Sequence, residues 1–295
     1  DVTQPTFILD ETNDDIPEGD THPMPIRVYV PDSIPVGKKV GLILGFHANG
    51  GDIDAMRWPA SLLPNAKWVE DGDWFDGADY PRYYYAGNED YIFIGFKAVR
   101  AEYTVHNGDW EEIDVRRVKA ALEWAKKTYP IDTRRIHTIG HSRGGFMATR
   151  FALEFPNEIA SAYAVAGAHS DDWTKGRREG DEDTTAFYNL PAGETYTYNF
   201  DFSKHIPGDH LPEFYQIHGV NDFTVDVNLS RQFTHALSQE SAPFVYREMD
   251  NGDHNDVYAG DNATDGMAFL HASRNENIPI TVDQQAVLDD ITVRF

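Results

Sequence analysis

The chain has 295 residues, 41% of them apolar, with 49 acidic against 25 basic residues and a formal charge of −24. That length and apolar share suffice for one sizeable α/β core, whereas the charge would repel nucleic acid and anionic membranes, so neither is expected as a partner. Cysteine is absent, which excludes disulfides, thiolate metal sites and a cysteine nucleophile, and no window approaches ~18 consecutive apolar residues, so no membrane-spanning helix is expected. The acidic excess is spread along the chain and reads as solvated surface.

The opening "DVTQPTFILD" carries no basic-then-apolar leader. The expectation is a secreted or periplasmic protein already trimmed of its signal peptide, with the cytosol as the alternative. Residues 1–25 are acidic and proline-containing and read as an irregular lead-in. "IRVYVP" (26–31) alternates like a strand, and "KKVGLILGFHANGG" (38–51) is a continuous apolar run ending in a glycine turn. Such a run is how a strand buried on both faces of a parallel sheet should look, and "YIFIGFKAVR" (91–100) reads the same way. "EEIDVRRVKAALEWAKKTYPID" then places Val118, Ala121, Leu122 and Ala125 at helical spacing, acids leading and bases trailing, with Pro130 ending the run.

A short strand "RIHTIG" (135–140) and a helix over 144–156 follow, the helix spacing Met147, Phe151 and Phe155 four apart. Next come strands at 160–168 and 213–219, a helix around Leu229, Phe233, Ala236 and Leu237, and a strand at 244–250. The tail after about residue 274 could add edge strands. Strands alternating with helices predict a mainly parallel central sheet with helices on both faces, formed by one domain over 1–295. Residues 52–90 and 169–210 break that rhythm. They are long, acidic and rich in aromatics, and read as inserted loops flanking a functional site.

Ser142 sits in "IHTIGHSRGG" (136–145), where Gly140-His141-Ser142-Arg143-Gly144 fits G-x-S-x-G. The pattern describes a tight strand-to-helix turn that presents a serine hydroxyl beyond the sheet edge, and here a strand precedes it and a helix follows. A serine hydroxyl needs a base. Of the 12 histidines, His254 in "DNGDHNDVY" stands just after the last strand of the series. His137 reads as a packed strand residue, and His141 adjoins the serine with its side chain directed away. The imidazole in turn needs a carboxylate to fix its tautomer. Asp222 follows the "HG" that closes a strand, whereas Asp226 reads as a helix cap. An oxyanion would be held by backbone N–H groups, one from Arg143 and another from the loop "GFHANGG". The order Ser142, Asp222, His254 is that of the α/β-hydrolase arrangement.

Together these segments resemble the α/β-hydrolase superfamily, above all its esterase branch containing feruloyl and acetylxylan esterases and polyhydroxyalkanoate depolymerases. "FHANGG" is similar to that branch's H-G-x-x-G oxyanion loop, "GHSRGG" to its nucleophile elbow, "HGVNDFTV" to its acid loop and "NGDH" to its histidine loop. The similarity spans roughly residues 26–273. It implies the α/β-hydrolase fold and a serine esterase of the carbohydrate esterase type that works without a cofactor or metal on an ester substrate, small or polymeric. Ala48 replaces the glycine usual in the oxyanion loop, which leaves the second donor between Asn49 and Ala48, with Asn49 preferred by alignment. Arg143 stands where smaller residues are usual, as in glucuronoyl esterases, where an arginine assists the oxyanion. His47, His141, Trp58, Trp74 and Trp173 are the candidate substrate contacts, since tryptophan offers a flat apolar face with a polar edge. Asp71, Asp73 and Asp76 have the wrong spacing for an EF-hand, so no metal site is expected. The other readings are a polyester depolymerase, a peptidase like the catalytic domains of prolyl-oligopeptidase relatives, and a hydrolase fold without activity that serves in binding.

Overall fold

The computed structural model describes Thr6–Phe7 and residues 24–31, 33–49, 51, 53, 55–56, 63, 66–71, 82–88, 90–98, 110, 112–168, 210–255, 257 and 261–278. Among these residues ten strands are formed: β1 (Thr6–Phe7), β2 (Met24–Tyr29), β3 (Val40–Phe46), β4 (Ala66–Asp71), β5 (Arg82–Asn88), β6 (Tyr91–Phe96), β7 (Ile131–His141), β8 (Ser161–Val165), β9 (Glu213–Gly219) and β10 (Phe244–Met249). Four helices accompany them among the described residues: α1 (Glu112–Thr128), α2 (Arg143–Glu154), α3 (Val227–Gln239) and α4 (Asp261–Ala272). Eight strands make one sheet in the order β1-β2-β6-β3-β7-β8-β9-β10. The six from β6 to β10 run parallel, and β1 and β2 close one edge in antiparallel pairing. This is the mainly parallel sheet with helices on both faces that the alternation of strands and helices predicts, and the α/β-hydrolase fold that the resemblance implies.

β3 and β6 are buried along their whole lengths because both sheet faces are covered. One face meets α1, α2 and α3 through Val118, Leu122, Phe151 and Phe233, and the other meets α4 through Met267 and Leu270 together with Met56 and Leu63. Phe46, at the end of β3, shows how the first core is filled. Its ring lies 5.6 Å from Phe96, 5.2 Å from Trp110 and 6.3 Å from Phe151. Burying one such side chain is worth roughly 1.5–3 kcal/mol.

Four local features differ from the sequence reading. β7 has 11 residues and begins at Ile131 rather than at 135. Its charged opening "DTRR" is half-buried, and Arg135 lays its guanidinium 4.4 Å from the centre of the Tyr91 ring, so charge there does not mark a loop. Thr6–Phe7 pairs with Met24 and Pro25, which puts a strand inside the lead-in. The first insertion contains the antiparallel pair β4 and β5. Finally, α4 was not read from the sequence. It buries Ala263, Gly266, Met267 and Leu270, a narrow stripe among polar residues. Trp58, Trp74, Trp173, the whole of 169–209 and the tail from 279 lie outside the described residues.

Candidate active site

Ser142 lies between β7 and α2 with φ 53° and ψ −119°. A non-glycine residue there is strained by about 1–3 kcal/mol, which the surroundings must hold in place. They do so through backbone contacts. Ser142 N–H donates to Val165 O at 2.8 Å, and Ser142 O accepts from Phe146 N–H at 3.1 Å. The flanking glycines are demanded by space. A Cβ on Gly140 would stand 1.9 Å from Gly144 O, and one on Gly144 would stand 1.9 Å from Phe46 O. Those contacts let the helix start directly against the ends of β3 and β7. The Ser142 side chain makes no capping bond to the helix, so a capping role does not explain why a serine occupies this strained position.

Asp222 sits in the turn after β9. Its Oδ1 accepts from Thr224 N–H and Val225 N–H, both at 2.8 Å. Its Oδ2 accepts from His254 Nδ1–H at 2.7 Å and from His218 Nε2–H at 3.0 Å. Burial works against the charge, but these donors win and hold the carboxyl far below the usual carboxylate range. Asp222 is therefore ionised at neutral pH, and the proton on His254 that faces it is on Nδ1, which leaves a lone pair on Nε2. Asp226, the competing carboxylate, caps α3 by accepting from Asn228 N–H at 2.8 Å.

His254 is carried on a loop after β10, and His141 ties that loop to the serine. His141 Nε2–H donates to His254 O at 2.9 Å, and the two rings lie 4.9 Å apart. Burial lowers the His141 pKa to about 4, so the ring is neutral with its proton on Nε2. Among the described residues no hydrogen bond joins the Ser142 hydroxyl to His254. In resting enzymes such catalytic bonds are often long and tighten only with substrate. His141, also a candidate substrate contact, has its side chain engaged with the His254 loop.

The oxyanion-loop candidates follow β3. His47, also a candidate substrate contact, is buried. Ala98 N–H donates to His47 Nε2 at 3.0 Å, so the proton sits on Nδ1 and goes to Ala48 O at 2.6 Å. Trp110 Nε1–H holds His47 O at 3.0 Å while its ring packs 4.8 Å from the imidazole. Ala48 O also closes a turn with Gly51 N–H at 2.9 Å. The Ala48 carbonyl is thus committed to the turn, Ala48 is half-buried and Asn49 is exposed. Arg143 is buried and opens α2, so its N–H is among the donors that point out of a helix N-terminus, where negative charge is favoured.

Sequence reasoning missed His218, Ser230, Gln216 and Trp110. A signal was present for the strand pair: Gln216 and His218 are the polar side chains in the run "FYQIHG", whose every residue is buried. Buried polar groups need partners, and these two find them around Asp222.

A sequence profile of the prolyl oligopeptidase family matches residues 102–273, more than half of the chain, and that range contains Ser142, Asp222 and His254. The chain belongs to the prolyl oligopeptidase family. It has the α/β-hydrolase fold. No curated protein matches it in sequence. Similar solved structures include the acylaminoacyl peptidase of Pyrococcus horikoshii, at TM-score 0.54 and 14% identity over 96% of this chain and 43% of that one. A thermostable esterase matches at TM-score 0.53 and 16% identity over 93% of this chain and 63% of that one. The S-formylglutathione hydrolase of Staphylococcus aureus matches at TM-score 0.52 and 14% identity over 92% of this chain and 96% of that one. The chain therefore spans less than half the length of the first relative and under two thirds of the second. At such identities the likeness is one of fold.

Proposed function

We propose that the chain hydrolyses carboxylic esters through an acyl-enzyme, with carbohydrate-linked esters of the feruloyl or acetyl type as its substrates. The observations that carry the reaction are a strained, uncapped Ser142 and a histidine whose Nδ1–H is bonded to a buried carboxylate at 2.7 Å, the loop of that histidine being tied to His141, the residue before the serine. Ser142 Oγ attacks the ester carbonyl carbon while its proton passes to His254 Nε2. Asp222 stabilises the imidazolium so formed. The oxyanion is held by the N–H of Arg143 and a second N–H from Asn49, or Ala48, each such donor being worth roughly 3–4 kcal/mol. His254 then gives its proton to the departing alcohol, and water, activated by the same imidazole, releases the acid. The carbohydrate assignment is supported by the resemblance of "FHANGG" and "GHSRGG" to that esterase branch and by the aromatic content of the two inserted stretches.

A peptidase reading is favoured by the family profile and by the likeness to an acylaminoacyl peptidase. The chemistry at Ser142 is the same, and only the leaving group differs. The test is a panel of acetylated xylan, methyl ferulate, p-nitrophenyl acetate, a polyester film and acylated or prolyl peptide anilides, run with wild type and Ser142→Ala. Ester turnover lost in Ser142→Ala supports the proposal. Peptide cleavage without ester turnover moves the assignment to peptidase. If no substrate turns over and a fluorophosphonate forms no adduct on Ser142, both fall and a binding role takes their place.

A further inference from the structure

β9 carries two buried polar side chains, Gln216 and His218, which the reaction above does not use. Partners that can only accept fix most of their hydrogen-bond directions. Gly167 O only accepts, so the Gln216 atom 3.0 Å from it is Nε2, whose second hydrogen goes to Ser230 Oγ at 2.8 Å. At the other end Asp222 Oδ2 and Val225 O only accept, so His218 Nε2 carries the proton it shares with them at 3.0 and 2.9 Å. The Ser230 hydroxyl accepts from Gln216 and, with no other acceptor among the described residues, donates to His218 Nδ1 at 2.6 Å. The relay runs from Gln216 through Ser230 and His218 and ends on the carboxylate oxygen that also accepts His254 Nδ1–H.

We propose that His218, oriented by Ser230 and Gln216, is a positioning residue that takes part of the Asp222 Oδ2 charge and so keeps His254 a base down to lower pH. The inference rests on the reading of Asp222 and His254 as acid and base. An oxygen shared by two donors is a weaker acceptor for each, so the imidazolium of His254 gains less from it. The other titratable groups facing this pair are His141 at the end of β7 and Glu248 on β10. Glu248 is paired with Arg231 of α3 at 2.7 Å, and Asp253, beside His254, accepts from Asn255 N–H at 2.7 Å. Both acids keep these partners when His218 is changed, so the change falls on Asp222. The relay also reaches the floor of the elbow, because Gly167 packs directly against Ser142 O.

The experiment compares wild type, His218→Ala, His218→Gln and Ser230→Ala by two readouts. One is the pH profile of fluorophosphonate labelling at Ser142. The other is the proton NMR signal of His254 Nδ1–H, assigned by its loss in His254→Gln. In His218→Ala the acid limb of labelling moves up by roughly half to one pH unit, so labelling below the limb falls by about three- to ten-fold. The Nδ1–H signal moves downfield as the bond to Asp222 strengthens. His218→Gln, which retains an N–H donor, stays near wild type. Ser230→Ala weakens the relay from behind and moves both readouts the same way by less, which covers the case that His218→Ala does not fold. An acid limb that stays or moves down, with an Nδ1–H signal that stays or moves upfield, overturns the proposal, because lost alignment alone would give that pattern. If wild type is never labelled at Ser142, the site reading fails, and the Nδ1–H signal, which needs no turnover, decides the relay by itself.

Discussion

Replacing Asp222 with asparagine changes almost no volume, so its effect isolates hydrogen bonding. The native carboxylate accepts four N–H donors, two on each oxygen, and donates none. An asparagine supplies one acceptor oxygen and one amide nitrogen. The two backbone donors, Thr224 N–H and Val225 N–H, cannot turn away, so the oxygen must face them and the NH2 must face two imidazole N–H groups. His254 can relieve that clash only by moving its proton to Nε2, which removes the lone pair that would take the serine proton. Two hydrogen bonds to a charged acceptor are lost at about 1.5–3 kcal/mol each. With tenfold in rate per 1.36 kcal/mol, a loss of about 4 kcal/mol predicts labelling of Ser142 slower by roughly a thousand-fold. The assay is the second-order rate of fluorophosphonate adduct formation at neutral pH, with urea unfolding to show that the variant is native. A folded Asp222→Asn that keeps more than about a tenth of the wild-type rate would refute the reasoning, since the tautomer argument allows no such residue of activity.

Three further predictions concern the frame around that site. Ser142→Gly should unfold at higher urea than Ser142→Ala by about 1 kcal/mol, because glycine tolerates φ 53° and alanine does not; equal midpoints would mean that the elbow is not strained. Gly144→Ala should cost about 3 kcal/mol, since its Cβ would stand 1.9 Å from Phe46 O and 2.7 Å from His47 O, both rigid backbone; a urea midpoint within error of wild type would contradict the close packing of α2 on β3. Stability should fall on mild acidification. Burial lowers the pKa values of His137, His141, His210 and His271, that of His141 to about 4. A group held neutral in the fold contributes its stability above its unfolded pKa and loses it as pH drops below about 6.5, because only the unfolded chain takes up the proton. At pH 5 that amounts to at most about 2 kcal/mol each for His137 and His141. The depressed carboxylates Asp222, Glu123 and Glu248 keep their contribution until pH falls below about 4, so the two windows separate. A flat urea midpoint between pH 7 and 5 would show that these histidines are not held neutral.

The strand-and-helix series was legible because its signals are local. β3 and β6 are apolar throughout since both faces of a parallel sheet are covered, and α1 shows helical spacing with Pro130 just beyond its end. The positions of Ser142, Asp222 and His254 were legible for a related reason: each lies at or beyond the end of a strand, where the topology of a parallel sheet gathers loops on one edge. What the sequence hid is tertiary. Nothing in "QIHG" says that His218 shares an oxygen with a histidine 36 residues further along, and a histidine in an apolar strand is as often packed as bonded. The setting of His47 was hidden for the same reason, since Trp110 and Ala98, which hold it, are distant in sequence. α4 escaped because its buried stripe is narrow and flanked by polar residues.

The link between His141 and His254 carries the last prediction. Among the described residues β10 is an edge strand with much of its length exposed, and the loop that bears His254 buries Gly252 and Val257. A base on such a loop is only as well placed as the contacts that hold the loop down. His141, adjacent to Ser142 in the chain, supplies two of them: a hydrogen bond to His254 O at 2.9 Å and a ring contact at 4.9 Å. The nucleophile and base are therefore registered to each other through a residue that transfers no proton. His141→Phe keeps a ring and loses the bond, worth about 1 kcal/mol, so labelling should slow by roughly five-fold. His141→Ala loses the ring contact as well, a further 0.5–1.5 kcal/mol or so, for a total of roughly ten- to seventy-fold. Because the loss is one of alignment, it should appear in kcat on any ester that is turned over, with KM little changed. A His141→Ala variant labelled at the wild-type rate would show that the His254 loop is held by other means.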